Sequence, residues 1–376
     1  MRGGYRIALL DWLACAFGGR SQRAAQAARA AGDGTLERVA WLGTAGHVLD
    51  FDDTYLPGIA HLSAPTAPAA IVLAAELDRS TGDAHAAYAA GFEAMGALSR
   101  SHDLYAGGWH PTAVCGAVGA AHAAARLLGL DEERTGAAER LALLRAGGLR
   151  AAFGSDGKSL QVGLAAATGV HAARFAAGGA AITADVLGHE AGFEAAFGPD
   201  REAGASPAID RNWIKPWPCC LMSHSAVQAA AEARQALAGS AAPIEVTVHP
   251  VARRAAAYDE VADGLQAKFS IPYLVAYVVL RGEPEPASFD GVDPEVQALA
   301  RERVRVATDP DLREAEAVLA PGGEEVARVP ASRGSPERPL GEAELAAKCE
   351  RLAGDRLDGL LDDAGAPAQR LLATLG

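Results

Sequence analysis

Helical segments dominated by alanine and glycine constrain this chain more than any single motif. "APTAPAAIVLAAELDRSTG" (64–82), "HAAYAAGFEAMGALSR" (85–100), "TAVCGAVGAAHAAARLLGL" (112–130), "SLQVGLAAATGVHAARFAAGG" (159–179) and "SHSAVQAAAEARQALAG" (223–239) share a small-residue face. Small side chains let helix axes approach closely, so these segments suit the centre of a helical bundle. Half of the 376 residues are hydrophobic but only 6% are aromatic, so the core must come from Ala, Leu and Val. From Tyr5 to about Ala238 nearly every segment reads as helix.

The period changes at about Pro243. "IEVTVH" puts Ile244, Val246 and Val248 on one face, the alternation of a half-buried strand, and "VRVAT" repeats it at Val304 and Val306. "AVLAPGGEEVARV" reads as strand, Pro-Gly-Gly turn, strand. Between them "GLQAKFSIPYLVAYVVLRG" (264–282) predicts a helix entered through Pro272. The expected fold is mainly α with an inserted α+β domain. A helical domain spans 1–240, a small α+β lid 241–335, and a helical tail, 336–376, follows a Pro/Gly linker and rejoins the helical domain.

A net charge of -13 without a dense Lys/Arg run argues against a nucleic-acid surface or an anionic membrane as partner. No apolar stretch reaches the roughly 20 residues that span a bilayer. The opening "MRGGYRIALLDWLACAFGGR", its apolar run broken by Asp11, reads as an amphipathic first helix. Five cysteines without paired zinc spacing point to reduced thiols, and a cytoplasmic location is expected.

Several short stretches interrupt the apolar pattern with groups that can move protons or hold charge. "HVLDFDDTYLPGIAH" (47–61) crowds Asp50, Asp52 and Asp53 together; such short polar side chains compete for the backbone, so a helix should end here. The run is either a solvated cap or the wall of a pocket. "GGWHPTAVCGAVG" sets His110 before Pro111 and Thr112 at a helix start, where backbone N–H groups favour an anion. "FGSDGKSLQVG" holds Lys158 in a turn, "NWIKPWPCC" places Lys215 among apolar residues, and "AKFSIPY" offers Lys268, Ser270 and Tyr273. His47 and the remaining histidines read as ordinary helix or loop residues. No histidine pair has i, i+4 spacing, no acidic loop has calcium spacing, and no phosphate-binding glycine motif occurs, so neither a metal nor a nucleotide site is expected. What remains suits proton transfer on a carboxylate-bearing molecule.

In this order the motifs "GHVLDFDDTYL", "AHLSAPTAPAAIVLAAE", "GWHPTAVCGAVGAAHAAARLLGLD", "GSDGKSLQVGLAAATGVHAARFAAGG", "IKPWPCC" and "KFSIPYLVA" resemble the MmgE/PrpD family, which includes 2-methylcitrate dehydratase and cis-aconitate decarboxylase. The resemblance runs from about Tyr5 to Lys348. It implies a helical body containing both termini, an inserted α+β lid, a homodimer, and chemistry without metal or organic cofactor. By motif it implies catalytic roles for Asp50, Thr54, His61, His110, Lys158 and Lys215, and substrate binding by Ser63, Thr112 and Tyr273. Leu62 stands where the family usually has proline.

Taking a proton from carbon beside a carboxylate, or losing CO2 there, puts negative charge on an enediolate-like oxygen pair. Lys158, Lys215 and His110 can stabilise that charge in a water-poor cleft. One of His61 and His110 would move the proton and the other assist departure, with Asp50 orienting a neighbour. A hydro-lyase or carboxy-lyase for a small di- or tricarboxylic acid is the leading expectation. An isomerase or epimerase, or a non-catalytic binding protein, are the alternatives.

Overall fold

The computed structural model describes residues 3–201, 204 and 206–376. The chain gathers into two compact units: one holds residues up to Ala152, Asp156–Ile214 and Gly341–Gly376, the other Phe153–Ser155 and Lys215–Leu340.

The first unit is helical. Its elements in order are α1 (Gly3–Gly19), α2 (Arg23–Ala30), α3 (Thr35–His47), α4 (Ser63–Glu76), α5 (Thr81–Ser101), α6 (Pro111–Leu127), α7 (Glu132–Leu144), α8 (Gly157–Ala177) and α9 (Phe193–Phe197). Local chemistry sets several of these starts. Ser80 and Asp83 form a reciprocal capping box at α5, and Asp131 caps α7 through the Arg134 N–H. Pro111 opens α6, where its missing N–H costs no hydrogen bond.

Every side chain of α6 except His122 and Arg126 is buried. Each buried methyl-sized group contributes only about 0.8 kcal/mol, so an alanine core depends on many close backbone approaches. Glycines provide them. A Cβ on Gly91 would lie 2.4 Å from the Gly119 carbonyl oxygen, one on Gly163 would lie 2.1 Å from that of Ala40, and one on Gly169 would lie 2.4 Å from that of Ala117. These positions bring α5 against α6, α8 against α3, and α8 against α6.

Two short strands complete this unit. β1 (Thr54–Tyr55) pairs antiparallel with β2 (Asn212–Trp213), Thr54 opposite Trp213. The stretch from Gly178 to Arg211 departs from the helical expectation: among its described residues it forms only α9 and a 3-10 turn at Ala208–Arg211. Gly179 and Gly198 take positive φ there, and Gly188, Gly192, Pro199 and Pro207 punctuate the rest, so helix cannot propagate.

The second unit contains α10 (His224–Glu232), α11 (Arg234–Gly239), β3 (Ile244–Val248), α12 (Pro250–Ala255), α13 (Gly264–Ala267), α14 (Ile271–Arg281), α15 (Pro294–Arg303), β4 (Val304–Thr308), β5 (Ala317–Pro321) and β6 (Ala327–Val329). The sheet order is β4-β3-β5-β6; β3 runs parallel to β4 and antiparallel to β5, with Val246 opposite both Val306 and Leu319. Ile244, Val246 and Val248 are fully buried, as their alternation requires. The expected 264–282 helix is divided at Lys268–Ser270, and the Ser270 hydroxyl caps α14 by accepting the Tyr273 N–H at 3.1 Å. α10, grouped by composition with the helical domain, packs instead on α14, β5 and β6, and the compact unit begins at Lys215.

The chain then returns to the first unit through α16 (Glu342–Ala353), on α1, and α17 (Gln369–Leu375), on α4. Among the described residues no helix is long and apolar enough to cross a membrane.

Candidate active site

The acidic stretch that follows α3 is bent into a cage. The chain leaves the helix through a turn closed by the Asp50 N–H and the His47 carbonyl, with Asp50 at φ 53. Aspartate tolerates this left-handed geometry better than most residues. After β1 the backbone folds back, Tyr55 and Ala60 exchanging hydrogen bonds of 2.7 and 3.1 Å. That return sets His61 beside Thr54.

Two helix ends complete the arrangement. The close crossing of α3 and α8 at Gly163 brings the last turn of α3 near the first turn of α8, and the Lys158 ammonium donates to His47 Nε2 at 2.8 Å and to Asp50 Oδ1 at 2.7 Å. His47 Nε2 must therefore present a lone pair, so its hydrogen sits on Nδ1 and is given to Asp52 Oδ2 at 2.9 Å. The same Asp52 oxygen lies 3.1 Å from His61 Nδ1, which Thr54 Oγ1 also approaches at 3.4 Å. With Nδ1–H directed at the carboxylate, a neutral His61 carries its lone pair on Nε2, 3.9 Å from Asp50 Oδ1. His110 precedes α6, its ring stacked on His47 at 5.9 Å between centroids.

Burial decides the charge states. Asp50, Asp52, His47, His61, His110 and Lys158 are all buried. Burial alone would raise the Asp52 carboxyl, but the two imidazoles outweigh it and hold that group well below the usual carboxylate range. His110 is pushed well below the ordinary imidazole value, first by burial and then by the Lys158 charge. His47 moves down for the same leading reason, partly opposed by Asp52. Near neutral pH these directions leave Asp52 ionised and the His47 and His110 rings neutral.

Asp53 behaves differently: burial pushes its carboxyl up to about 8, with nearby Ser63 and Asn212 pulling the other way. The loop is also braced from below. Lys348 on α16 donates to the Phe51 carbonyl at 2.7 Å, pairs with Asp11 of α1 at 2.5 Å, and stands over the Phe51 ring at 3.9 Å.

The sequence-derived candidates thus have distinct settings. Asp50, Thr54, His61, His110, Thr112 and Lys158 come together, the Thr112 hydroxyl accepting the His61 backbone N–H at 3.1 Å. Ser63 is fully buried and bonded to the Tyr88 hydroxyl at 2.6 Å. In the second unit, Lys215 is fully buried and donates to the Cys219 carbonyl at 3.1 Å, and the buried Tyr273 hydroxyl accepts the Asp293 N–H at 2.9 Å. The chain has four lysines, Lys158, Lys215, Lys268 and Lys348, and all are buried.

Sequence reasoning set His47 aside, named Asp52 only as part of the acidic run and not as a site residue, and did not reach Gln161, whose amide meets His110 Nδ1 at 2.6 Å; His47 and Asp52 tie the cage together. His47 and Asp52 stood in the same quoted run as Asp50, and that proximity was the available signal. His47, Asp52 and His61 each offer a donor atom, the three within 4.8 Å of one another, a spacing that suits a metal ion. The Lys158 ammonium on His47 Nε2 argues for another reading, because it forces the hydrogen onto His47 Nδ1 and makes the trio a hydrogen-bonded relay.

Residues 4–205 match the MmgE/PrpD N-terminal domain and residues 217–364 match the MmgE/PrpD C-terminal domain. The chain belongs to the MmgE/PrpD family. Among relatives, it is 33% identical over 212 residues to cis-aconitate decarboxylase of Homo sapiens, an alignment covering 52% of this chain and 44% of that protein. It is 30% identical over 211 residues to the enzyme of the same name from Mus musculus, covering 52% of this chain and 43% of that protein. The matched region spans less than half the length of either relative. Every residue of the cage falls within the N-terminal family domain, and the bracing Lys348 lies within the C-terminal one.

Proposed function

We propose that this chain is a lyase that acts on a small di- or tricarboxylic acid by proton transfer beside a carboxylate. The observation carrying this reading is the buried cage in which one ammonium, two carboxylates and three imidazoles meet, Lys158 with Asp50 and Asp52 and with His47, His61 and His110. The names of the two relatives support it, since both are decarboxylases of a tricarboxylic acid.

In this reading the chain's own side chains supply every proton-transfer and charge-stabilising group. A carbon beside a carboxylate gives up its proton to an imidazole, and the electron pair moves into the carboxylate as an enediolate. Lys158 and His110 stabilise the developing charge, and in a dehydration the pair then returns to expel hydroxide, which leaves as water after protonation. In a decarboxylation no proton is first removed: the bond to one carboxylate breaks, CO2 departs, the electron pair it leaves is delocalised toward a remaining carboxylate, and that anion takes up a proton. Fixed donors act most strongly in a site that excludes water, as this buried one does.

Incubation with citrate, 2-methylcitrate, cis-aconitate and an amino-dicarboxylate in deuterated water, read by NMR and mass spectrometry, tests the reading. A product lighter by water or CO2 is expected from at least one acid. His110→Ala, folded as judged by circular dichroism, should turn over roughly 100- to 1000-fold more slowly. Label exchange without mass loss, or full activity in His110→Ala, would overturn the assignment.

A further inference from the structure

We infer that Gln161 fixes the tautomer of His110 with its hydrogen on Nε2, which makes His110 the proton donor of the site and leaves His61 as the proton acceptor. The division of roles rests on the lyase reading above; the tautomer does not.

The inference starts from an amide that cannot turn over. Gln161 lies one turn beyond Lys158 on α8, facing the strand-like segment at Leu149, which bridges Trp109. Its Oε1 accepts the Leu149 N–H at 3.1 Å and its Nε2 donates to the Leu149 carbonyl at 3.3 Å. Rotating the amide by half a turn would set N–H against N–H and oxygen against oxygen, so the two backbone groups determine which end is nitrogen. That nitrogen also lies 2.6 Å from His110 Nδ1. Having only hydrogens to offer, it can meet only a lone pair on the ring, and a neutral imidazole with a lone pair on Nδ1 carries its hydrogen on Nε2. Burial and the Lys158 charge keep the ring neutral, so a second hydrogen on Nδ1 is disfavoured.

The surrounding backbone is built to hold this contact. The His110 N–H donates to the Gly148 carbonyl at 3.0 Å. Gly148 sits at φ 128, and a Cβ there would lie 2.5 Å from the Ala113 Cβ and 3.3 Å from Gln161 Oε1. A side chain at 148 would therefore disturb both the ring's backbone and the amide that orients it.

His61 has the opposite polarity. Its Nδ1 faces the Asp52 carboxylate at 3.1 Å, an acceptor that draws the ring hydrogen to Nδ1, so Nε2 of the neutral ring is the nitrogen that can take a proton. The two rings thus bring one N–H and one lone pair to the same site. A reaction that removes a proton from carbon and delivers one to a leaving group or a new carbanion needs that pair of complementary groups. Gln161 touches no reacting atom in this scheme; it is a positioning residue.

The test is nitrogen-15 NMR of protein labelled in its histidine side chains, without added ligand, which reads the hydrogen on each ring nitrogen. The His110 signals, identified by their loss in His110→Gln or by their selective movement on substitution at Gln161, should show bare Nδ1 and protonated Nε2. Gln161→Glu, whose carboxylate accepts where the amide donated, should place a hydrogen on Nδ1. A wild-type His110 protonated on Nδ1, or a Gln161→Glu protein in which Nδ1 stays bare, overturns the inference. In turnover, Gln161→Met should lower kcat by about 10- to 100-fold, part of the roughly 10²- to 10⁴-fold that a positioned proton donor contributes, with KM changed far less. If the spectrum shows the stated tautomer and no acid is consumed, the lyase reading falls and the tautomer assignment stands.

Discussion

Asp53 shows how a single buried carboxyl contributes its own share to the pH response of the chain. Burial raises its pKa to about 8, so the folded form keeps its proton over a range in which the unfolded chain has released it. Binding more protons when folded means that unfolding free energy falls as pH climbs from the ordinary carboxylate value toward 8, then levels off. Asp53→Asn, which has the same shape and no charge to gain, should remove that decline; urea midpoints of both proteins at about pH 5 and about pH 9 check it, and parallel losses would refute it. Residues of this kind differ in how far sequence alone exposes them. Asp50, His110 and Lys158 stood out as polar groups in an apolar chain. His47 did not, because a lone histidine at a helix end looks like core, and its partner Lys158 is 111 residues away. The Gln161 amide gave no motif signal, since its meaning comes from Leu149 and His110 lying on either side of it.

Among the helices, the glycines are as informative as the charged groups. A methyl at Gly163 would stand 2.1 Å from the Ala40 carbonyl oxygen and 2.4 Å from Thr44 Oγ1, between α8 and α3. Replacing a mid-helix glycine by alanine gains about 0.8–1.0 kcal/mol of helix propensity, whereas overpacking a tight interior costs typically 1–3 kcal/mol. At 2.1 Å the steric cost wins, so Gly163→Ala should lower the urea midpoint. Because this crossing holds Lys158 against His47, kcat should drop as well. Gly136→Ala on α7 is the contrasting case: its Cβ would meet only the mobile end of Arg140 at 3.0 Å, and stability should rise by roughly 0.5–1 kcal/mol. A Gly163→Ala midpoint equal to that of Gly136→Ala would end the argument. The helical elements and the strands at Ile244, Val304 and Ala317 could be read from periodicity, because period is a local property. The packing of α10 on the sheet could not, since it depends on neighbours remote in sequence, whereas the break at Lys268–Ser270 follows from the local Ser270 cap and Pro272.

At the scale of the molecule, the first unit is sewn from pieces distant along the chain. Lys348 reaches back 297 residues to the Phe51 carbonyl and neutralises Asp11. Removing one partner of a buried ion pair strands the other without water, a loss of about 3–5 kcal/mol, while replacing both by apolar groups is often close to neutral. Lys348→Met should accordingly unfold far more readily than wild type, and Asp11→Leu/Lys348→Met should recover most of the loss; a double variant as weak as the single one would sink this account. The lysines as a set carry one more consequence. With Lys158, Lys215, Lys268 and Lys348 all interior, the described surface of the native protein offers almost no side-chain amine to solvent. An acylating reagent, a crosslinker or a conjugating enzyme would find its lysine handles only after the chain has opened, so the four residues that furnish the interior with positive charge would also act as tags of its collapse.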